Sequence, residues 1–151
     1  RELVADDVQW IFDACQDPQI QKWTQVPRPY TRDHAMSFVV DPPDEFRRWA
    51  IEIDGAPAGM ISVHEVDSVT SCALIGYWIR PEYRGRGGVV AAIGALWQEI
   101  AGAATSMKAY VAEENAASRR ALVKAGFECT SVQFGPAVDN LVEVSTCVYE
   151  R

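Results

Sequence analysis

Arg84-Gly-Arg-Gly-Gly-Val89 holds the residue types and spacing that could do chemistry. Glycine has no Cβ, so Gly85, Gly87 and Gly88 let the backbone turn tightly and come close to a ligand. Val89, Val90, Ile93, Leu96, Trp97 and Ile100 follow at helical spacing, so the loop opens onto a helix with an apolar face. The first turn of such a helix presents unpaired N–H groups and the positive end of its dipole. With Arg84 and Arg86 alongside, that is chemistry for holding a phosphate. Two familiar phosphate loops do not fit. A dinucleotide fingerprint needs glycine in its sixth place, which counted from Gly85 is Val90. A P-loop ends in Gly-Lys-Ser/Thr, and Gly87-Gly88-Val89 does not.

A strand, a helix and an upstream hairpin must position this loop. Cys72–Ile79 alternates Ile75, Tyr77 and Ile79 with Leu74, Gly76 and Trp78, the pattern of a strand buried on both faces. Pro81 has no N–H and ends it. Further on, Asn115 can cap a helix over Ala116–Lys124, and Gly126 stops that helix. Ala116, Ala117 and Ala121 keep its surface small enough for a ligand chain to lie against it. On the preceding hairpin, His64 alternates with Met60 and Ser62 on one face of a predicted central strand. An imidazole with an ordinary pKa near 6.5 is mostly neutral at slightly alkaline pH and can accept an amine proton. Trp23 and Tyr30 bracket a proline-stiffened loop and offer flat amphipathic walls for an acceptor.

In chain order, Arg1–Val4 reads as the tail of a strand, and Asp6 or Asp7 caps a helix carrying Val8, Ile11, Phe12 and Cys15. Asp17-Pro18 breaks that helix, and Ile20–Trp23 adds a turn. Thr31 caps a second helix, which Asp41-Pro-Pro43 stops. Phe46–Ile53 and Ala58–Val66 form a hairpin about Asp54-Gly55. The strand over 72–79, a helix over 89–100, a short strand over 107–111 and the helix over 116–124 follow. Phe127–Phe134 and Leu141–Tyr149 close the order as strands joined at Gly135-Pro136. This predicts one α+β domain over residues 1–151 with a right-handed β-α-β crossover in its middle.

A chain of 151 residues suits one domain with a full core. Its net charge of −7 argues against a nucleic-acid or anionic-membrane partner. Arg80, Arg84, Arg86, Lys108, Arg119, Arg120 and Lys124 nevertheless all lie between positions 80 and 124. A basic site on an acidic body suits an anionic cofactor and favours a cationic acceptor. Cys15, Cys72, Cys129 and Cys147 form no C-x-x-C pair and read as reduced core thiols; the two histidines give no zinc spacing. No apolar run is long enough to span a bilayer and no secretory leader is visible, so the chain reads as cytoplasmic.

Arg84 to Gly88 resembles the acyl-CoA-binding motif of the GNAT N-acetyltransferases, Arg/Gln-x-x-Gly-x-Gly/Ala, with Val89 standing where glycine or alanine is usual. Asn115, Ser118, Gly126 and Phe127 are similar to the family's Asn-x-x-Ser/Ala…Gly-Phe element. Gly59–His64, the run Ile75–Tyr83, and Pro18 with the Trp23–Thr31 loop resemble the subgroup of ribosomal-protein N-terminal acetyltransferases and related small-amine acetyltransferases. The resemblance implies a mixed, mostly antiparallel sheet of about seven strands with four helices.

It also implies acetyl-CoA as co-substrate, no metal, and direct attack by a primary amine, either a protein N-terminus or a small-molecule amine. The cofactor's pantetheine arm would enter a gap between two central strands, pairing with the backbone of Trp78 and Ile79. Arg84, Gly85, Arg86, Gly87, Gly88 and Val89 would hold the pyrophosphate, and Asn115 the pantetheine. Ser118 would act on the departing sulfur, because the family's usual tyrosine is replaced by Leu122; Leu74 stands where relatives often carry a glutamate. Those departures keep open a non-catalytic acyl-CoA-binding domain on the same fold. A second copy of the chain also stays open as a partner.

Overall fold

Asp54-Gly55, both at positive φ (55° and 76°), turns the first hairpin of the computed structural model, which describes residues 1–41, 47–136 and 143–151. Its arms are β1 (Arg47–Ile53) and β2 (Ala56–Val66), paired antiparallel. β2 pairs antiparallel with β3 (Cys72–Ile79), and β3 lies parallel to β4 (Ser106–Ala112). The sheet is completed by β5 (Glu128–Pro136) and β6 (Glu143–Glu150), in the order β1-β2-β3-β4-β6-β5. The helices are α1 (Val8–Ala14), α2 (Pro18–Trp23), α3 (Arg32–Val40), α4 (Gly88–Ile100) and α5 (Ala116–Lys124). α4 makes the crossover from β3 to β4, as the sequence predicts.

Three expectations change. Six strands are present among the described residues instead of about seven, because Arg1–Val4 contributes only the bridge Glu2↔Trp49. The Asp7 carboxylate draws in the Val4 N–H at 2.7 Å and the Arg1 guanidinium at 2.8 Å, bending the chain into a 3₁₀ turn. Burial alone would raise the Asp7 pKa, but hydrogen bonds from Arg1, Trp10 and Val4 outweigh it and hold the carboxyl at about 2. Among the described residues five α-helices replace four, because Asp17-Pro18 both ends α1 and starts α2. Asp17 accepts from the N–H groups of Gln19 and Ile20 while Pro18 takes the first helical position. Gly135-Pro136 lies within β5, an edge strand that tolerates proline. The expected stop at Pro42-Pro43 and the expected strand starts at Phe46 and Leu141 lie outside the described residues.

The sheet's two faces carry separate cores. Ile61, Val63, Ile75, Met107 and Phe127 pack with Ile93, Leu96 and Ile100 of α4 and Leu122 of α5. Met60 and Trp78 pack on the other face with Ile11, Ile20, Ala35 and Val39 of α1–α3, and Trp10 tilts against Trp78 at 5.8 Å. Successive strand residues point to opposite faces, so β3 sends Tyr77 toward α5 and Trp78 toward α1. The thiols do not all fall in these cores: Cys15 is buried, Cys72 half-buried and Cys129 exposed. The Cys147 side chain lies outside the described residues.

Candidate active site

The sheet opens between β3 and β4. Their pairing covers Cys72↔Ser106, Ala73↔Met107 and Leu74↔Lys108, and from Ile75 onward β3 pairs with no strand on that side among the described residues. Peptide groups in a strand face alternate sides. Arg80 donates its N–H to Ala58 of β2, and the Trp78 carbonyl sits 2.3 Å from where a Cβ on Gly59 would be. Trp78 therefore directs its peptide groups to β2, while Tyr77 and Ile79 direct theirs into the gap. This corrects the assignment of Trp78: its backbone is engaged with β2 and its indole is buried. The Ile79 carbonyl accepts from Arg84 Nε at 3.3 Å.

At the end of β3 the loop takes the conformation its glycines permit. Gly85 (φ 76°) and Gly87 (φ 78°) are left-handed, with no neighbouring atom within 4 Å of a would-be Cβ. Gly88 serves differently, since a Cβ there would lie 2.7 Å from Ile53 Cδ1; its smallness seats α4 on β1. No side chain caps α4, and its opening turn is closed by the Ala91 N–H donating to the Gly87 carbonyl at 3.1 Å. The N–H groups of Gly88, Val89 and Val90 precede that bond and point out of the helix end. Arg84 turns toward α2, bonding Asp17 at 2.5 Å, and Arg86 lies 5.2 Å from the Tyr83 ring.

Opposite the gap stands α5. Asn115 caps it, its side-chain oxygen accepting the Ser118 N–H at 3.1 Å. The Ser118 hydroxyl lies 2.6 Å from the Tyr77 hydroxyl. Tyr77 is a residue that motif reading missed: strand parity puts it on this face, but its partner lies 41 residues away in sequence. Leu122, at the place of the family's usual tyrosine, is fully buried in the core.

On β2, His64 is the extra residue of a β-bulge, between Val63↔Ile75 and Glu65↔Leu74. Bulges re-aim side chains. Here the imidazole comes to rest over Gly76, with Nε2 3.4 Å from the buried Ser62 hydroxyl. That hydroxyl donates to the Gly76 carbonyl at 3.2 Å. His64 is exposed at its rim, but desolvation of the ring where it lies against the sheet lowers its pKa below 6.5, against an upward pull from Glu65.

A cleft of about 1410 Å³ runs past Gly85, Gly87, Gly88, Tyr77, Asn115 and Ser118 to His64, Trp23 and Tyr30. Arg86 is outside its lining. Trp23 ends α2 where the loop begins, with one ring face under Lys22 at 4.2 Å. Tyr30 is only 7% exposed, so it gives the cleft an edge more than a wall. Burial pushes its hydroxyl pKa well up, and its neighbour Cys15 is pushed up to about 12 by burial. Among the described residues the lining carries Arg48, Arg84, Arg120 and Lys124 against one carboxylate, Asp41. The acidic character of the whole chain does not extend into the cleft, so the expected preference for a cationic acceptor loses its support. Among the described residues no cluster of His, Cys, Asp and Glu is arranged to hold a metal, and no helix is long and apolar enough to cross a membrane.

The sequence model of a family described as "Acetyltransferase (GNAT) domain" matches residues 1–128. A Bacillus subtilis (strain 168) protein provisionally named a ribosomal N-acetyltransferase, YdaF, is 51% identical over 39 residues, 26% of this chain and 21% of that one. The chain thus spans about a fifth of that relative's length in the matched stretch. Among solved structures, RimL, a ribosomal L7/L12 alpha-N-protein acetyltransferase in complex with coenzyme A, superposes with a TM-score of 0.88 at 17% identity, covering 100% of this chain and 91% of that one. The microcin C7 self-immunity acetyltransferase MccE, in complex with acetyl-CoA and AMP, gives 0.85 at 18% identity over 99% and 88%. A Vibrio cholerae spermidine N-acetyltransferase with CoA and spermine gives 0.81 at 18% identity over 100% and 92%.

Proposed function

The chain belongs to the GNAT acetyltransferase family, and on that premise we propose that it moves an acetyl group from acetyl-CoA to a primary amine. The observation that carries this reading is the gap beyond Leu74↔Lys108, flanked by a glycine loop at a helix N-terminus. An exposed strand edge accepts an extended chain by backbone hydrogen bonding, and the helix end accepts a phosphate. Solved relatives of this fold hold CoA or acetyl-CoA.

The roles follow from position. The peptide groups of Tyr77 and Ile79 pair with the pantetheine arm, and one of their N–H groups faces the thioester carbonyl as an oxyanion donor. The N–H groups from Gly85 to Val89 hold the pyrophosphate; Arg86 at the mouth and Arg84, released from Asp17, add charge. Asn115 keeps its amide N–H free to donate while its oxygen caps α5. Bound acetyl-CoA supplies the thioester. His64, neutral at pH 7, takes the amine proton directly or through water. Ser118 faces the sulfur. The acceptor enters past Trp23 and the rim of Tyr30, on the α1–α3 face.

The acceptor is a protein N-terminus or a small amine, consistent with the named acetyltransferases that share the fold. An α-amino group, with pKa ≈ 7.7–8.0, asks less of a base than a lysine at ≈ 10.4, which suits a site whose strongest candidate base is one imidazole. We take residues 1–151 as one catalytic domain acting in the cytoplasm, without nucleic acid or membrane. Leu74 in the cleft and Leu122 in the core favour, as a second reading, an acyl-CoA-binding domain without catalysis. A panel of amines with acetyl-CoA, followed by free thiol and by acetylated product, separates the two.

A further inference from the structure

A serine hydroxyl is a poor acid, and its place in the first turn of α5 helps it only modestly. The improvement comes from across the cleft. Tyr77 and Ser118 belong to different elements, yet their hydroxyls are 2.6 Å apart at the point where β3 leaves β4, and both border the cleft. The Tyr77 hydroxyl also lies 3.3 Å from the Ser118 carbonyl, a longer contact. A phenol is ordinarily acidic near pKa 10, far closer to a thiol than an alcohol is.

We propose that Tyr77 is the proton source behind Ser118, a positioning residue acting through that hydroxyl on the sulfur that leaves. With Tyr77 O–H donating to Ser118 Oγ, the serine's own hydrogen is directed into the cleft. The amine nitrogen forms a bond to the acetyl carbon, and the carbon–sulfur bond breaks with its electron pair going to sulfur. Sulfur takes the Ser118 proton and Ser118 takes the Tyr77 proton. The proton lost by the amine passes to His64 or water, and solvent restores the phenol, so charge and atoms balance. The chain thereby recovers, from a strand, a phenol that Leu122 withholds from the helix. This inference rests on the acetyltransferase reading.

The test uses Tyr77→Phe, Ser118→Ala and a form carrying 3-fluorotyrosine at position 77. Tyr77→Phe is expected to lower kcat about ten- to a hundredfold with little change in KM for acetyl-CoA. Adding it to Ser118→Ala is expected to cost little more than Ser118→Ala alone, because the two act as a unit. Without turnover, the thiol of bound coenzyme A, titrated by its thiolate ultraviolet absorbance, should ionise at higher pH in Tyr77→Phe than in the parent. The fluorinated form keeps the ring and hydroxyl in place, and its more acidic phenol should move the alkaline limb of kcat to lower pH. A folded Tyr77→Phe with parental kcat and parental thiol titration overturns the proposal. An unmoved limb in the fluorinated form does the same. A parent that binds coenzyme A but acetylates no amine overturns the acetyltransferase reading and this inference with it; an active parent indifferent to Tyr77 overturns this inference alone.

Discussion

The His64 imidazole occupies the space that a side chain on Gly76 would need: a Cβ there would lie 2.3 Å from Nε2. Gly76 pairs with Ser62, and His64, the bulge residue two places on, lays its ring over that bare backbone. Gly76→Ala should therefore displace the ring. Overpacking of this kind costs about 1–3 kcal/mol. Combining it with His64→Ala should restore most of that stability, because the clash disappears. Thermal unfolding of the two single variants and the double variant measures it; a loss that persists in the double variant means Gly76 is needed for the strand, not for the histidine.

The direction of the His64 shift sets a pH dependence. Its folded pKa is depressed by burial below 6.5, so between those two values the unfolded chain binds more protons than the folded one. Its stabilising contribution is full above pH 6.5 and declines as pH falls through the folded value. The acidic limb of kcat/KM should lie below pH 6.5 for the same reason, and His64→Gln should abolish it with a large rate loss at neutral pH. A limb that survives in His64→Gln assigns the proton to water or to another group.

Charge and backbone conformation can be separated at Gly87. Its φ of 78° strains most side chains, but asparagine tolerates that region, and nothing lies within 4 Å of the new Cβ. Gly87→Asn should weaken coenzyme A binding only a few-fold, whereas Gly87→Asp adds a negative charge beside the pyrophosphate and should cost about tenfold more. Calorimetry on both folded variants decides the matter. Equal affinities for the two would place the phosphates elsewhere.

Much of this site was legible in the residues and some was not. Glycine and proline signals placed the loop, the hairpin and the strand end, because those residues restrict or free the backbone wherever they occur. Asn115 declared itself as a helix cap by local chemistry, and the structure shows that cap. Pairing across the sheet was harder. The bulge at His64, which aims the ring, depends on register between two strands and leaves no mark in β2 alone. Side-chain alternation does not say which neighbouring strand a peptide group faces, so the residues alone do not tell Trp78 from Tyr77 at the gap. The Asp17–Arg84 pair and the Tyr77–Ser118 contact join distant segments, and neither has a local signature.

Acetyl transfer itself is most directly tested by mixing the protein with acetyl-CoA and a panel of protein N-terminal peptides and small amines. Thiol release and the acetylated product are measured together while both substrates are varied. Equal amounts of free coenzyme A and acetylated amine are expected, with intersecting initial-rate patterns that mark attack within a ternary complex. Tight binding of coenzyme A with no acetylated amine would contradict acetyl transfer, and would make this a cofactor-binding domain without chemistry.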